Sequence, residues 1–570
     1  MEVKYAWGKQ KIDNSLVENI AKQLNVSEVI ARILVGRGIT SFESAQNYFR
    51  PSWGDFHDGL LMKNMRISID RLNRAIQEKQ HVLVYGDYDV DGTCSVAMMT
   101  SFLRQLSSNV SFYQPHREKE GYGISLLSVQ WMTDHEVDLV IALDCGIKDF
   151  KSAAAIRSLN IDLIICDHHT PSEELPSAFA ILNPKQADCS YPFKELCGCG
   201  VGFKLIQSYE DRYKVNVDVT PLLQLAAVAT TADVVPLVDE NRLITFFGLF
   251  EINSNPMKAL HNLFISAKKN GEITASDLVF KIAPRINAAG RLSTAMKATE
   301  LLLSDDDNLN PLTKEIENVN SQRRLMDEKI TLEALSQLDK QPNERVTNLV
   351  YSPNWHKGVV GIVASRIMEY YYKPTIVMTG SDNVITGSAR SVKGFNVYDI
   401  LHKLQHYFIR FGGHKYAAGL SIEKKNLKSF FIDFEKEVKA TIQSEMLVPT
   451  IKIDSELTFS DLIHDQKSSP YPKIYRIIKQ MEPFGPGNSK PVFIFKGIKN
   501  AIKPRIVGEK HIKFRFSDNN NSFQIDGIWF NSASNFQKIL KKNKIDVVAT
   551  LNQNFFNGIY SLQLMIKDVN

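Results

Sequence analysis

The chain has no run of about 18 uncharged apolar residues, the least that a membrane-crossing helix needs. Its opening residues, MEVKYAWGKQKIDN, hold no continuous apolar segment, so no signal peptide is expected and the expected compartment is the cytoplasm. Cysteine is scarce, six in 570 residues. Cys94, Cys145 and Cys166 lie in or beside apolar runs, where a reduced thiol packs like a small hydrophobe. Cys197 and Cys199, in CGCG, have no second pair at zinc spacing, which disfavours a structural metal there. A strong charge excess is also missing: 68 basic against 63 acidic residues leave +5, too little to demand a nucleic-acid partner by itself. Internal repeats and low-complexity tracts are absent.

What remains is an ordinary globular composition, 44% hydrophobic and 23% charged, in a chain long enough for about three to four domains. Residues 1–75 are expected to be mainly helical, with a break at Pro51. From His81 onward, VLVYG, VSFY, VDLVIAL and DLIIC are short, nearly continuous apolar runs separated by helical segments. Continuous rather than alternating hydrophobicity suits parallel strands buried on both faces, so residues 76–290 read as an α/β domain. Residues 291–344 lack glycine and repeat apolar residues at three and four spacing, which predicts a helix and then a long connecting helix with Pro311 in its first turn. A second, smaller α/β unit is expected over 345–445. Short alternating segments such as HIKFRF, FQIDGIWF and YSLQLMI predict an all-β barrel of the OB type over 446–570.

The chemistry-bearing residues follow the strands of the first sheet. YGDYDVDG supplies Asp87, Asp89 and Asp91, LDCG supplies Asp144, and CDHH supplies Asp167, His168 and His169. Ligands of open α/β sheets bind outside the carboxyl ends of strands, so these groups should converge. A lone DxDxD is usually a turn or cap, and a lone His pair is usually surface or core. Three such groups at consecutive strand ends favour a site. Crowded carboxylates raise one another's pKa unless a cation neutralises them, and this donor set favours Mg²⁺ or Mn²⁺. More than four candidate ligands point to two metals, which at such sites activate water and stabilise a phosphoester's leaving oxygen. Asp233, the acidic residue in the apolar helix ATTADVVPL, is either a further ligand or a helix cap.

GDYDVDG, LDCG, DHH and TTADVVPL, in that order, resemble the motifs of the DHH phosphoesterases, and their wording resembles RecJ-type single-stranded-DNA exonucleases. PRINAAGR, WHKGVVGIVASR, GSARS, FGGHKYAAG and MEPFGPGN extend the resemblance from about residue 50 to the C-terminus. It implies a DHH parallel-sheet domain and a smaller α/β DHHA1 domain joined by a long helix, with a C-terminal OB-fold. It also implies ligand roles: Asp91, Asp144, His168 and Asp233 for one Mn²⁺ or Mg²⁺, and Asp89 and Asp144, with Asp87, for the other. His169 would face the scissile phosphate, with Asp167 fixing an imidazole tautomer. Many relatives carry a histidine where Tyr85 stands, so the second metal's shell stays open. Arg117, Arg291, Ser388 and Arg390 would surround a 5′-terminal phosphate. Tyr122, Gln322, Arg366 and His414 would contact the strand, Tyr122 by stacking on a base.

The resemblance therefore implies 5′-to-3′ hydrolysis of single-stranded DNA to nucleoside 5′-monophosphates, in repair and recombination, by a monomer. Single-strand-binding protein and a RecQ-like helicase are its candidate protein partners. Lys510, His511, Lys513 and Arg515 alternate with Ile512, Phe514 and Phe516, so one barrel face is cationic: a groove for single strands, or a merely solvated surface. Three rivals are a hydrolase of short oligonucleotides or cyclic dinucleotides, a non-catalytic scaffold and a pyrophosphatase. The barrel and long helix, the complete ligand set, and Tyr85 with the long downstream half argue against them in turn.

Overall fold

The computed structural model describes residues 4–305, 307–342, 344–380, 382–463, 469–518, 523–556 and 558–570. The chain divides into a larger unit (Gly8–Ile286, Ala295–Thr313, Lys452–Asn570) and a smaller one (Met1–Trp7, Asn287–Thr294, Lys314–Ile451).

The larger unit contains the first sheet: β1 (Val82–Gly86), β2 (Val110–Tyr113), β3 (Leu139–Leu143), β4 (Asp162–Cys166) and β5 (Ala180–Leu182). All pairings are parallel, in the order β2-β1-β3-β4-β5. Leu83, Tyr85, Val140, Ala142, Leu163 and Ile165 face a core shared with Val129, Met132, Ala153 and Ile156, which lie on the helices Leu126–Asp134 and Phe150–Ser158. Every residue of β1 and β3 is buried, which is why these strands read as unbroken apolar runs. Each Val, Leu or Ile so buried contributes about 1.5–3 kcal/mol.

The smaller unit carries β6 (Asn348–Ser352), β7 (Thr375–Thr379), β8 (Val384–Arg390), β9 (Phe408–His414) and β10 (Ala417–Glu423), in the order β9-β10-β8-β7-β6. Only β6 and β7 pair in parallel. Phe430, Phe434 and Val438 of the helix Leu427–Thr441 pack with Ile376, Met378 and Ile422. Val360, Val363 and Ile367 of the helix Val360–Tyr371 pack with Val350 and Val377.

The C-terminal strands of the larger unit are β11 (Ser455–Glu456), β12 (Phe493–Asn500), β13 (Arg505–Val507), β14 (His511–Ser517), β15 (Gln524–Trp529), β16 (Ile545–Phe556) and β17 (Ile559–Val569). They form one sheet, β11-β12-β16-β17-β15-β14-β13, which β12 closes onto β14. Its core is not its own. Val17, Ile20, Ile30 and Leu34, from the helices Asn14–Leu24 and Glu28–Val35, share it with Phe493, Phe514, Val547 and Leu564. The N-terminal helices are thus lids on the barrel, a packing that their own periodicity does not announce. The chain runs between the units in the 30-residue helix Leu309–Leu338; Pro311 is its third residue, where the missing N–H costs no intrahelical bond.

Candidate metal centre

Four polar strand or helix ends meet in the larger unit. Asp87 and Asp89 follow β1, and Asp89 caps the helix Val90–Leu103 by accepting the Gly92 N–H at 3.1 Å. Asp91, one residue into that helix, accepts the Gly198 and Cys199 N–H groups at 2.6 and 2.8 Å. Those are the first free N–H groups of the helix Gly198–Tyr213, whose positive end favours a carboxylate. Asp144 follows β3 with φ of 59°. Asp233 occupies the C-cap of the helix Leu223–Ala232, its N–H on the Ala229 carbonyl, so the helix ends there rather than running through ATTADVVPL. A carboxylate at that negative helix end is held against the dipole.

The donor atoms lie within 4.8 Å of one another in each of three overlapping groups: Asp87, Asp89 and Asp144; Asp91, His168 and Asp233; Asp144, His168 and His169. His168 Nε2 lies 3.2 Å from Asp144, 3.7 Å from Asp233 and 3.8 Å from Asp91. Among the described residues, neither ring nitrogen of His168 makes a well-formed hydrogen bond, nor does Asp87 Oδ1, although all three atoms are buried. His168 is held neutral: burial, and then His169, lower its pKa to about 3. Burial and then neighbouring carboxylates raise Asp87, Asp144 and Asp233, and they push Asp91 up to about 7. Buried acids pressed toward neutrality, beside a neutral imidazole whose Nε2 faces three of them, form a donor set suited to divalent cations.

Asp167 does another job. Its carboxylate accepts the backbone N–H of Ile147, His168 and His169 at 3.0, 2.7 and 3.0 Å, and it takes the His169 ring at Nδ1, 2.8 Å away. Burial works to raise its pKa, but the His169 bonds and charge outweigh that and hold it at about 2. In return His169 is raised, since Asp167 and the nearby carboxylates offset the cost of its burial.

The chain has counterparts among known proteins. The DHH family N-terminal domain matches residues 81–230, the DHHA1 domain 343–442 and the RecJ OB domain 453–568. The single-stranded-DNA-specific exonuclease RecJ of Bacillus subtilis is 34% identical over 572 residues, 99% of this chain and 71% of that protein. The Escherichia coli RecJ is 31% identical, with 95% of each chain covered. The chain belongs to the RecJ family. The crystal structure of RecJ from Thermus thermophilus in complex with Mn²⁺ superposes with a TM-score of 0.84 at 25% identity, covering 99% of this chain and 79% of that one.

The other residues expected from the sequence to contact substrate divide between the units. In the larger one, Arg117 lies over the Tyr88 ring at 4.9 Å, and Tyr122 sets its hydroxyl 3.2 Å from His169 Nδ1. In the smaller one, Arg291 donates to the Gly358 carbonyl at 3.0 Å, two residues before the helix Val360–Tyr371. Arg390 donates to Ser388 Oγ at 2.7 Å and to Ser365 Oγ at 3.1 Å. Arg366 reaches the buried Asp327 at 2.8 Å, while Gln322 and His414 are exposed. The cationic strand face on β14 is not an open one: Arg515 and Lys513 both reach Asp526 on β15, at 2.7 and 3.5 Å.

Two supports of the site have no counterpart among the sequence expectations. Gly198 not only donates to Asp91; a Cβ there would lie 2.6 Å from the Asp144 Cβ, so only glycine fits. The CGCG motif was the visible signal, a glycine opening a helix rather than a metal knuckle. The loop 481–488 braces the segment after Asp233, the Leu237 N–H donating to the Pro486 carbonyl at 2.6 Å. That contact joins residues far apart in the chain and leaves no local pattern.

Proposed function

We propose that this RecJ-family chain hydrolyses single-stranded DNA from its 5′ end to nucleoside 5′-monophosphates, with two divalent cations, Mn²⁺ or Mg²⁺, as cofactors. The observation that carries the reading is the convergence of three overlapping donor groups, linked to one another through Asp144 and His168. Asp91, Asp144, His168 and Asp233 would hold one cation, and Asp87, Asp89 and Asp144 the other. When bound, such a pair activates a water and neutralises charge on a phosphoester's leaving oxygen.

The chain's own groups complete the chemistry. Asp167 fixes the His169 tautomer by taking Nδ1–H, which leaves Nε2 for a phosphate oxygen. Asp167 also works to raise the His169 pKa, and a protonated Nε2 would donate to that oxygen in a charge-assisted bond that strengthens as charge develops on the phosphoryl group. Arg117, stacked on Tyr88, brings a guanidinium to the same acidic site, where it works to lower the Asp87 pKa. Arg291, Ser388 and Arg390 gather near the N-terminus of the helix Val360–Tyr371, an arrangement suited to a terminal phosphate. Gln322, Arg366 and His414 are assigned to the strand's path.

The activity calls for partners that expose single strands, and we assign a single-strand-binding protein and a RecQ-like helicase to that role, in the cytoplasm and in DNA repair and recombination. Among the described residues no helix is long and apolar enough to cross a membrane. A digest of end-labelled DNA with Mn²⁺ tests the reading. A 5′ label should appear at once as mononucleotide while a 3′ label persists in shortening strands, and duplex should resist. Early release of the 3′ label, or turnover unaffected by EDTA, would overturn it.

A further inference from the structure

Tyr122 reaches the acidic site from an irregular segment, residues 121–125, whose Gly121 and Gly123 have φ of 86° and 87°. Its hydroxyl donates to the Asp144 carbonyl at 3.3 Å, and its ring meets His169 edge-on at 5.7 Å while 50% of the residue stays exposed. Two glycines around an aromatic residue, outside any helix or strand, describe a segment that should wander.

Side chains from β1 and from the helix Phe150–Ser158 with its N-cap hold it still. Tyr85, fully buried on β1 and stacked on Tyr113, donates its hydroxyl to the Gly123 carbonyl at 2.8 Å. Ser152 Oγ donates to the Ile124 carbonyl at 2.5 Å. Asp149 accepts the Ile124 N–H at 2.7 Å. Asp149 stands at the N-cap of the helix Phe150–Ser158 yet makes no capping bond, so its carboxylate serves the loop and not its own helix. Burial pushes that carboxyl up to about 6, and no ion pair offsets it among the described residues. A Cβ on Gly123 would lie 2.5 Å from an Asp149 oxygen, so the loop is drawn in as far as glycine permits. On the outer side, Glu120 accepts from Tyr113, His116 and Ser125.

We propose that Asp149, Tyr85 and Ser152 are positioning residues for Tyr122, clamping residues 121–125 so that its ring presents a fixed stacking face to the terminal bases of the strand. The inference rests on the single-strand exonuclease reading and adds the device that orders its base platform. It also gives Tyr85 a task at the place where other DHH relatives carry a histidine. A ring already held in place stacks without first losing conformational freedom, so loosening the loop weakens binding although Tyr122 itself is unchanged.

Steady-state kinetics on a single-stranded oligonucleotide with Mn²⁺ separate this clamp from general structural support. Asp149→Ala and Tyr85→Phe should each lower kcat/KM about tenfold, mainly through KM, as expected from a lost stacking contact. Asp149→Asn, which keeps an oxygen for the Ile124 N–H, should recover most of the loss. In a Tyr122→Ala background neither substitution should cost anything further. Amide exchange, read without DNA, should quicken at Ile124 in Asp149→Ala while β1 and β3 stay protected. Losses that multiply with Tyr122→Ala, or unaltered exchange at Ile124, would overturn the clamp while leaving the exonuclease reading intact. A wild-type protein inert toward single strands would overturn that reading and, with it, the task given to Tyr122.

Discussion

Asp144→Asn should stabilise the metal-free protein while abolishing its activity. Asp144 is 2% exposed and shares a group of donor atoms within 4.8 Å with Asp87 and Asp89. At 4.8 Å and an effective dielectric of about 20, two unit charges repel by roughly 3.5 kcal/mol. Protonation limits what the bare protein suffers, and the raised Asp91 gives a second measure: moving one buried carboxyl from 3.8 to about 7 costs roughly 4 kcal/mol. Asparagine keeps the shape and removes the charge. Unlike Asp91, Asp144 accepts no backbone N–H among the described residues, so no acceptor is lost. The substitution should therefore raise the stability of EDTA-treated protein by about 3 kcal/mol at pH 8. Because Asp91 is raised to about 7, the stability it contributes is complete below the unfolded value of about 3.9 and is lost as pH climbs through 7, and the raised Asp144 acts in the same direction. Metal-free wild type should melt lower at pH 8 than at pH 5, and Asp144→Asn should melt less differently. Adding Mn²⁺ should reverse the order, stabilising wild type and leaving the variant almost unmoved. Calorimetry with and without Mn²⁺, beside a nuclease assay, reads all of this. A variant no more stable than wild type in EDTA, or one that binds Mn²⁺ within twofold of wild type, would refute the reasoning.

Gly198→Ala should weaken Mn²⁺ binding about 10- to 100-fold by pushing on Asp144, whereas Cys199→Ala, which keeps its N–H on Asp91, should bind normally in the same titration. Asp327→Asn should cost roughly 2 kcal/mol in denaturant unfolding, less than a fully buried pair because Arg366 is half exposed, and should raise KM for DNA by freeing Arg366 and Arg323. Asp526→Asn should change stability by less than about 1 kcal/mol yet tighten single-strand binding and steepen its salt dependence, measured by fluorescence anisotropy between low and physiological salt.

The local parts of this protein could be read from its residues in order. Strands buried on both faces must be apolar throughout, so β1, β3 and β4 stood out, and the acidic and imidazole groups directly after them were found without any knowledge of contacts. A 30-residue helix with Pro311 near its start was visible for the same reason, because helix period and first-turn tolerance are short-range rules. Tertiary structure decided what depends on groups far apart in the chain. It made Val17 and Ile30 share a core with Phe514 and Val547, closed the Gly198 amide on Asp91, turned Asp149 to the Ile124 amide and set Asp526 against Arg515. Apolar surface packs without direction, and a buried carboxylate accepts whichever N–H the fold delivers, so neither leaves a spacing for a linear reading to find.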